Sequence, residues 1–209
     1  MLRSLLCTIT LLAALPAVAQ LQVQYGAKSL TVSGASPRGD VAVLGVIQSN
    51  YRGLESIQKP ASIERADAAG TVTIQVARPS FRSVWLVVDL RTGEFVVSSP
   101  PGYPLRQMAV PPEAIDRSGR SLLHARPTVD VYVVRRGLGA WHSRAADVGV
   151  QSDPGDGRVG VSVDHLKPVG ATPAAPPVLT PGDIVMVFDA PFMEFWATRL
   201  TSSDLSEAK

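Results

Sequence analysis

The sequence predicts an all-β protein, on three observations. Helical periodicity is almost absent. Short apolar runs rich in Val recur between clusters of Gly, Pro, Asp and Ser. Several of these runs return, in the same order, later in the chain. Such strands suit two tandem, related immunoglobulin-like sandwich units with little helix; one barrel or sandwich built from both units is the alternative. The likeness is architectural, because the disulfide and core tryptophan of antibody domains are missing.

The chain of 209 residues opens on a targeting segment, residues 1–19. Met1-Leu2-Arg3 is a basic start, Leu5 to Ala17 an apolar run, and Ala17-Val18-Ala19 supplies small residues before a cleavage site at Gln20. This signal peptide predicts export to the periplasm or the extracellular space. No later apolar run approaches the length of a membrane span, so none is expected after cleavage.

Residues 20–98 form the first β unit, with strands expected at 21–25, 29–33, 41–48, 71–77, 83–89 and 94–98. A proline-rich linker follows at 99–127. Proline fixes φ and donates no hydrogen bond, so Pro100, Pro101, Pro104, Pro111 and Pro112 keep it out of a central strand. Pro112, Glu113 and Asp116 suit the first turn of a short helix over 112–123. The second unit, 128–200, carries expected strands at 129–135, 158–164, 183–189 and 194–199. A second proline-rich loop interrupts it at 167–182, and a polar tail closes the chain at 201–209.

Self-similarity ties the units together. Val84-Trp85-Leu86-Val87-Val88-Asp89 matches Ile184-Val185-Met186-Val187-Phe188-Asp189, and Glu94-Phe95 matches Glu194-Phe195. Upstream, the run from Gly70 to Val76 matches Gly157 to Val163, and Asp40-Val41-Ala42-Val43 matches Asp130-Val131-Tyr132-Val133. The runs 84–88 and 184–188 are apolar at every position, which predicts burial on both faces. A unit this small cannot easily cover two faces by itself, so the units are expected to pack on each other through Trp85, Val88, Val185 and Phe188.

Composition excludes several functions. One of the 20 basic side chains, Arg3, lies in the leader, and 18 acidic ones nearly balance the rest, so nucleic acid is not an expected partner. The one cysteine, Cys7, also lies in the leader, which leaves the mature chain without a disulfide or a thiol nucleophile.

The paired carboxylates Asp89/Glu94 and Asp189/Glu194 admit a hydrolase reading, since glycosidases use two such groups. Their recurrence before turn residues favours turn formation instead, and no catalytic residue is expected. Ser152 to Gly157 reads as a hairpin turn and also resembles an acidic calcium loop in which Asp153 and Asp156 would be ligands; no cofactor is expected, with Ca²⁺ as the alternative. His124, His142 and His165 are too dispersed for a zinc motif. Arg38-Gly39-Asp40 spells the adhesion tripeptide but stands directly before a strand, where it makes an ordinary turn. The loop Gly137 to His142 carries Trp141 and His142, and Tyr51-Arg52 occupies a similar place in the first unit. These four residues are the expected ligand surface, although Trp141 can equally fold back on the core. The function expected is an exported, non-enzymatic module that binds a protein partner or an envelope component. A Ca²⁺- or carbohydrate-binding module and a secreted hydrolase are the alternatives.

Overall fold

The computed structural model describes residues 20–51, 54–58, 60–76, 82–108, 114–115, 121–124, 129–144, 159–174, 178–189 and 192–205. Among them the chain is all-β, with a 3-10 turn at Val163–His165 and no α-helix. In the first half the strands are β1 (Gln22–Tyr25), β2 (Ser29–Ser33), β3 (Asp40–Tyr51), β4 (Leu54–Gln58), β5 (Ala61–Arg65), β6 (Val72–Gln75), β7 (Ser83–Asp89) and β8 (Phe95–Ser98). Next come β9 (Arg106–Gln107), β10 (Ala114–Ile115), β11 (Ser121–His124), β12 (Val129–Arg135) and β13 (Gly139–Arg144). The last are β14 (Val159–Ser162), β15 (Lys167–Pro168), β16 (Ile184–Asp189) and β17 (Glu194–Arg199). No helix among the described residues is long and apolar enough to cross a membrane.

Two sheets form the middle of the molecule. One has the order β4-β3-β7-β8, with β5 pairing the first part of β3 (Asp40↔Arg65 to Leu44↔Ala61) and β4 its last part (Ile47↔Gln58 to Tyr51↔Leu54). The other has the order β15-β13-β12-β16-β17-β9. Its pairings are antiparallel apart from β17 with β9, which is parallel. Two three-stranded sheets, β1-β2-β6 and β10-β11-β14, complete the set.

Strand alternation sends each side chain to a definite layer. On β3 and β7, Ala42, Leu44, Val46, Val84, Leu86 and Val88 point to the middle. There they meet Tyr132, Val134, Ile184, Met186 and Phe188 from β12 and β16 in one buried cluster. The intervening residues Val41, Val43, Trp85 and Val87 face the opposite way, onto Leu30, Val32, Val72 and Ile74 of the β1-β2-β6 sheet. On the far side of the second sheet, Val131, Val133, Val185 and Val187 pack with Trp141, Leu166, Leu179 and Leu200. Strands β7 and β16 are therefore buried at every position.

The expected contact between the halves needs a correction here. Val88 and Phe188 lie in the shared middle layer, but Trp85 and Val185 lie in the two outer ones. Residues of odd and even number on one strand cannot share a face, so Trp85 cannot join Val88, nor Val185 join Phe188. The positions that complete the contact are Val84, Leu86, Ile184 and Met186. Gly45 is directly opposite Trp85 in the ladder, and a Cβ there would fall within the indole, so only glycine leaves room for the ring.

The linker needs a correction as well. Its described part holds no helical turn over 112–123; Ala114–Ile115 and Ser121–His124 are strands that pair with each other. Both proline-rich segments also lend short strands, β9 and β15, to the two edges of the second central sheet. Edges are where proline is tolerated, because one side of the strand needs no ladder donor.

In the first half β2 and β6 pair in one sheet while β3, β7 and β8 are consecutive neighbours in another. In the second half β11 and β14 pair while β12, β16 and β17 are the neighbours. The β7–β8 and β16–β17 hairpins even share a left-handed residue at the matching place, Gly93 at φ 75° and Met193 at φ 52°. Most residues other than glycine avoid that region.

Candidate functional site

Asp89 ends β7 and is buried. Its Oδ2 accepts the Ser36 N–H at 2.7 Å, and its Oδ1 accepts those of Arg91 at 2.8 Å and Thr92 at 3.3 Å. Its backbone closes the same turn, accepting from Gly93 N at 2.7 Å and donating to Glu94 O at 2.9 Å. Burial pushes the carboxyl pKa up, but the bonds from Ser36, Arg91 and Thr92 outweigh it and hold the group below the usual carboxylate value. Asp89 thus braces a hairpin. Asp189 ends β16 in the same way and is also buried.

A pKa lower in the folded than in the unfolded chain adds stability above the unfolded value, near 3.9. That contribution disappears as pH falls through the folded value. The melting temperature is therefore expected to drop below about pH 4, and Asp89→Ala to cost about 1.5–3 kcal/mol at neutral pH. Chemical denaturation across pH checks both: the variant should lose part of the acid dependence. A variant as stable as the parent at pH 7 would overturn the bracing role.

The residues expected to form a ligand surface do not come together as one. Trp141 lies on β13, not on a loop, and has no exposed surface. Its Nε1 donates to Pro173 O at 3.0 Å, and its ring packs among Val133, Leu166 and Leu179. This corrects the stacking reading in favour of the core, because a buried indole has no face to offer a sugar. His142 is half-buried on the opposite face of the same strand. Its ring stacks on Tyr132, with centroids 6.0 Å apart at 16°. Tyr132 is fully buried and donates from its hydroxyl to Gly45 O at 3.3 Å, which links the two central sheets. Burial, and then the Asp130 charge, pushes its pKa well above the ordinary value. Tyr51 ends β3, but its side chain lies outside the described residues, as do Arg52, Asp153 and Asp156. Among the described residues no three of His, Cys, Asp and Glu are grouped so as to hold a metal ion.

What the sequence did not single out is a cleft where the two halves meet, with a volume of about 390 Å³. The first half supplies Arg38, Asp40, Arg65 and Arg91, and the second supplies Leu138 and Thr172. Its walls are tied by hydrogen bonds to main-chain carbonyls. Leu90 N donates to Asp40 O at 2.9 Å, Gly137 N to Leu90 O at 2.8 Å, and Arg136 Nε to Arg91 O at 2.6 Å. Thr172, on the proline-rich loop 167–182, accepts from Ala140 N at 3.0 Å and fixes that loop against β13.

The arginines of the cleft are exposed. Asp40 stands opposite Arg65 in the β3–β5 ladder. Even so, among the described residues the ion pair within 4 Å is Arg135 with the buried Asp183, at 2.7 Å on the other flank of the β12–β13 hairpin, and none involves the cleft. The contrast separates two uses of one residue type. Arg135 bonds both oxygens of Asp183 and also Val178 O, which makes it a structural fork. Arg38, Arg65 and Arg91 enter no such pair among the described residues.

No protein-family model matches the chain, and no curated protein does. Among solved structures it is similar to red sea bream transglutaminase, at 14% identity and a TM-score of 0.24. The match covers 88% of this chain and 31% of that one. A superposition that loose relates the two no further.

Proposed function

We propose that this is an exported, non-enzymatic interaction module, built from two related β units, which holds a protein partner or envelope component at the cleft between them. The observation that carries the reading is the cleft itself: it needs both halves, and its arginines take no part in the ion pairing that holds the fold. The use of Asp89 as a turn brace supports the non-enzymatic side, since its oxygens already accept three main-chain bonds. Loops and turns on a rigid sheet framework are where binding residues concentrate.

In-cell photo-crosslinking tests it. A photoreactive residue replaces the exposed Leu138 in the full-length chain, expressed in its own cells, and the exposed Lys28 serves as control. A discrete adduct from position 138, carried by the processed chain and missing from position 28, is the expected result. The reading is overturned by no adduct at 138 or by the same mixture from both positions.

A further inference from the structure

We infer that the cleft between the halves is a carboxylate-binding site that takes a short acidic peptide segment bearing an apolar side chain. This names the ligand class for the interaction reading above and rests on it.

Charge is the first argument. Three arginines, Arg38, Arg65 and Arg91, line one small cleft, and among the described residues a single acidic one, Asp40, lines it with them. The whole chain carries a formal charge of +2, so this is a local concentration of cations and not general basicity. Like charges around one cleft repel one another, and a bound anion relieves that repulsion. Guanidinium groups also match carboxylates in shape, with two parallel N–H donors for two oxygens.

Backbone geometry is the second. Ser36-Pro37-Arg38-Gly39 is a turn closed by Gly39 N donating to Ser36 O at 2.9 Å. Its third residue, Arg38, is at φ 55°. With proline second and a left-handed third residue, this is the pattern of a type II turn, whose third place favours Gly or Asn. Arginine there is the worse choice for the turn, and it puts a cationic residue in the lining of the cleft. Strain of this kind gathers at binding sites.

The walls decide between anions. Leu138 is 45% exposed, and Ile63 is half-buried beside Arg65. An apolar side chain on the ligand would cover both. A polyphosphate has no apolar group to place there. The cleft volume, about 390 Å³, lies in the range of small-ligand sites.

The test uses the full mature chain and a fluorescein-labelled tripeptide of glutamate, leucine and glutamate, read by anisotropy. The expected result is saturable binding, weakened about tenfold or more when both glutamates become glutamine, and weakened again by salt. The double variant Arg65→Gln/Arg91→Gln is expected to lose binding to the same extent. Arg38→Gly separates function from folding: it removes the guanidinium and suits the turn, so binding falls while the melting temperature does not.

Equal binding of the acid and amide peptides, or no change in the arginine variants, overturns the proposal. So does displacement of the peptide by polyphosphate at lower concentration than by free acidic peptide, which would make the site a phosphate site. A crosslinked adduct at position 138 without peptide binding would sink the ligand class and leave the interaction reading standing. Peptide binding without an adduct would do the reverse.

Discussion

Expressed without the rest of the chain, residues 20–98 are expected to aggregate rather than fold, and this is the largest effect the structure predicts. Removing the second half uncovers Leu44, Val46, Val84, Leu86 and Val88 together, on one face of one sheet. Each such side chain contributes about 1.5–3 kcal/mol when fully buried, so the five amount to about 7–15 kcal/mol. That matches the whole stability of an ordinary domain, about 5–15 kcal/mol, so the fragment retains nothing to fold with. The face is also apolar, the kind of surface that drives association. Co-expression of 20–98 with 99–209 should restore a soluble complex, because the missing face is supplied in trans. The intact chain should melt in one transition. Size-exclusion chromatography and calorimetry check these outcomes. A monomeric 20–98 fragment with its own cooperative melt would show that the middle layer is dispensable.

That shared layer also explains how far the sequence could be read. Each run expected to be a strand forms one, because alternation and apolar runs are local signals. Full burial of 84–88 and 184–188 follows from the same signal. The apolar runs carry no signal of parity: Trp85 and Val185 lie in the same runs as Val88 and Phe188 but point to the opposite faces. Strand β13 was missed for another reason. Gly139-Ala140-Trp141-His142-Ser143-Arg144 has no alternating apolar pattern, and pairing with β12 on one side and β15 on the other makes it a strand. The cleft was less legible still. Arg38 and Arg91 sit in or beside turns that the sequence does suggest, whereas Arg65 ends β5, a strand it does not. Their convergence depends on the pairing of β3 with β5 and on the hydrogen bond from Gly137 to Leu90, neither of which leaves a local trace.

Trp141→Ala is expected to cost about 3–5 kcal/mol, and Trp85→Ala about the same. Both indoles are wholly buried, yet they lie in different layers, one outside each central sheet. A loss of that size lowers the melting temperature of a chain of this length by roughly 6–20 °C. The two should also be nearly additive, since sites that share no partners couple weakly. Each phenylalanine replacement separates packing from hydrogen bonding. Trp141→Phe releases Pro173 O, and Pro173 is exposed, so water can replace the indole N–H. Trp85→Phe instead deprives the buried Ser83 hydroxyl of its indole donor. The buried position should therefore suffer more from the loss of its bond, by about 1 kcal/mol. Equilibrium denaturation of the four variants measures this. If Trp141 served as a ligand platform, its alanine variant would keep parental stability and lose binding alone. A destabilisation under about 1 kcal/mol at Trp141 would return it to the surface and reopen the carbohydrate reading.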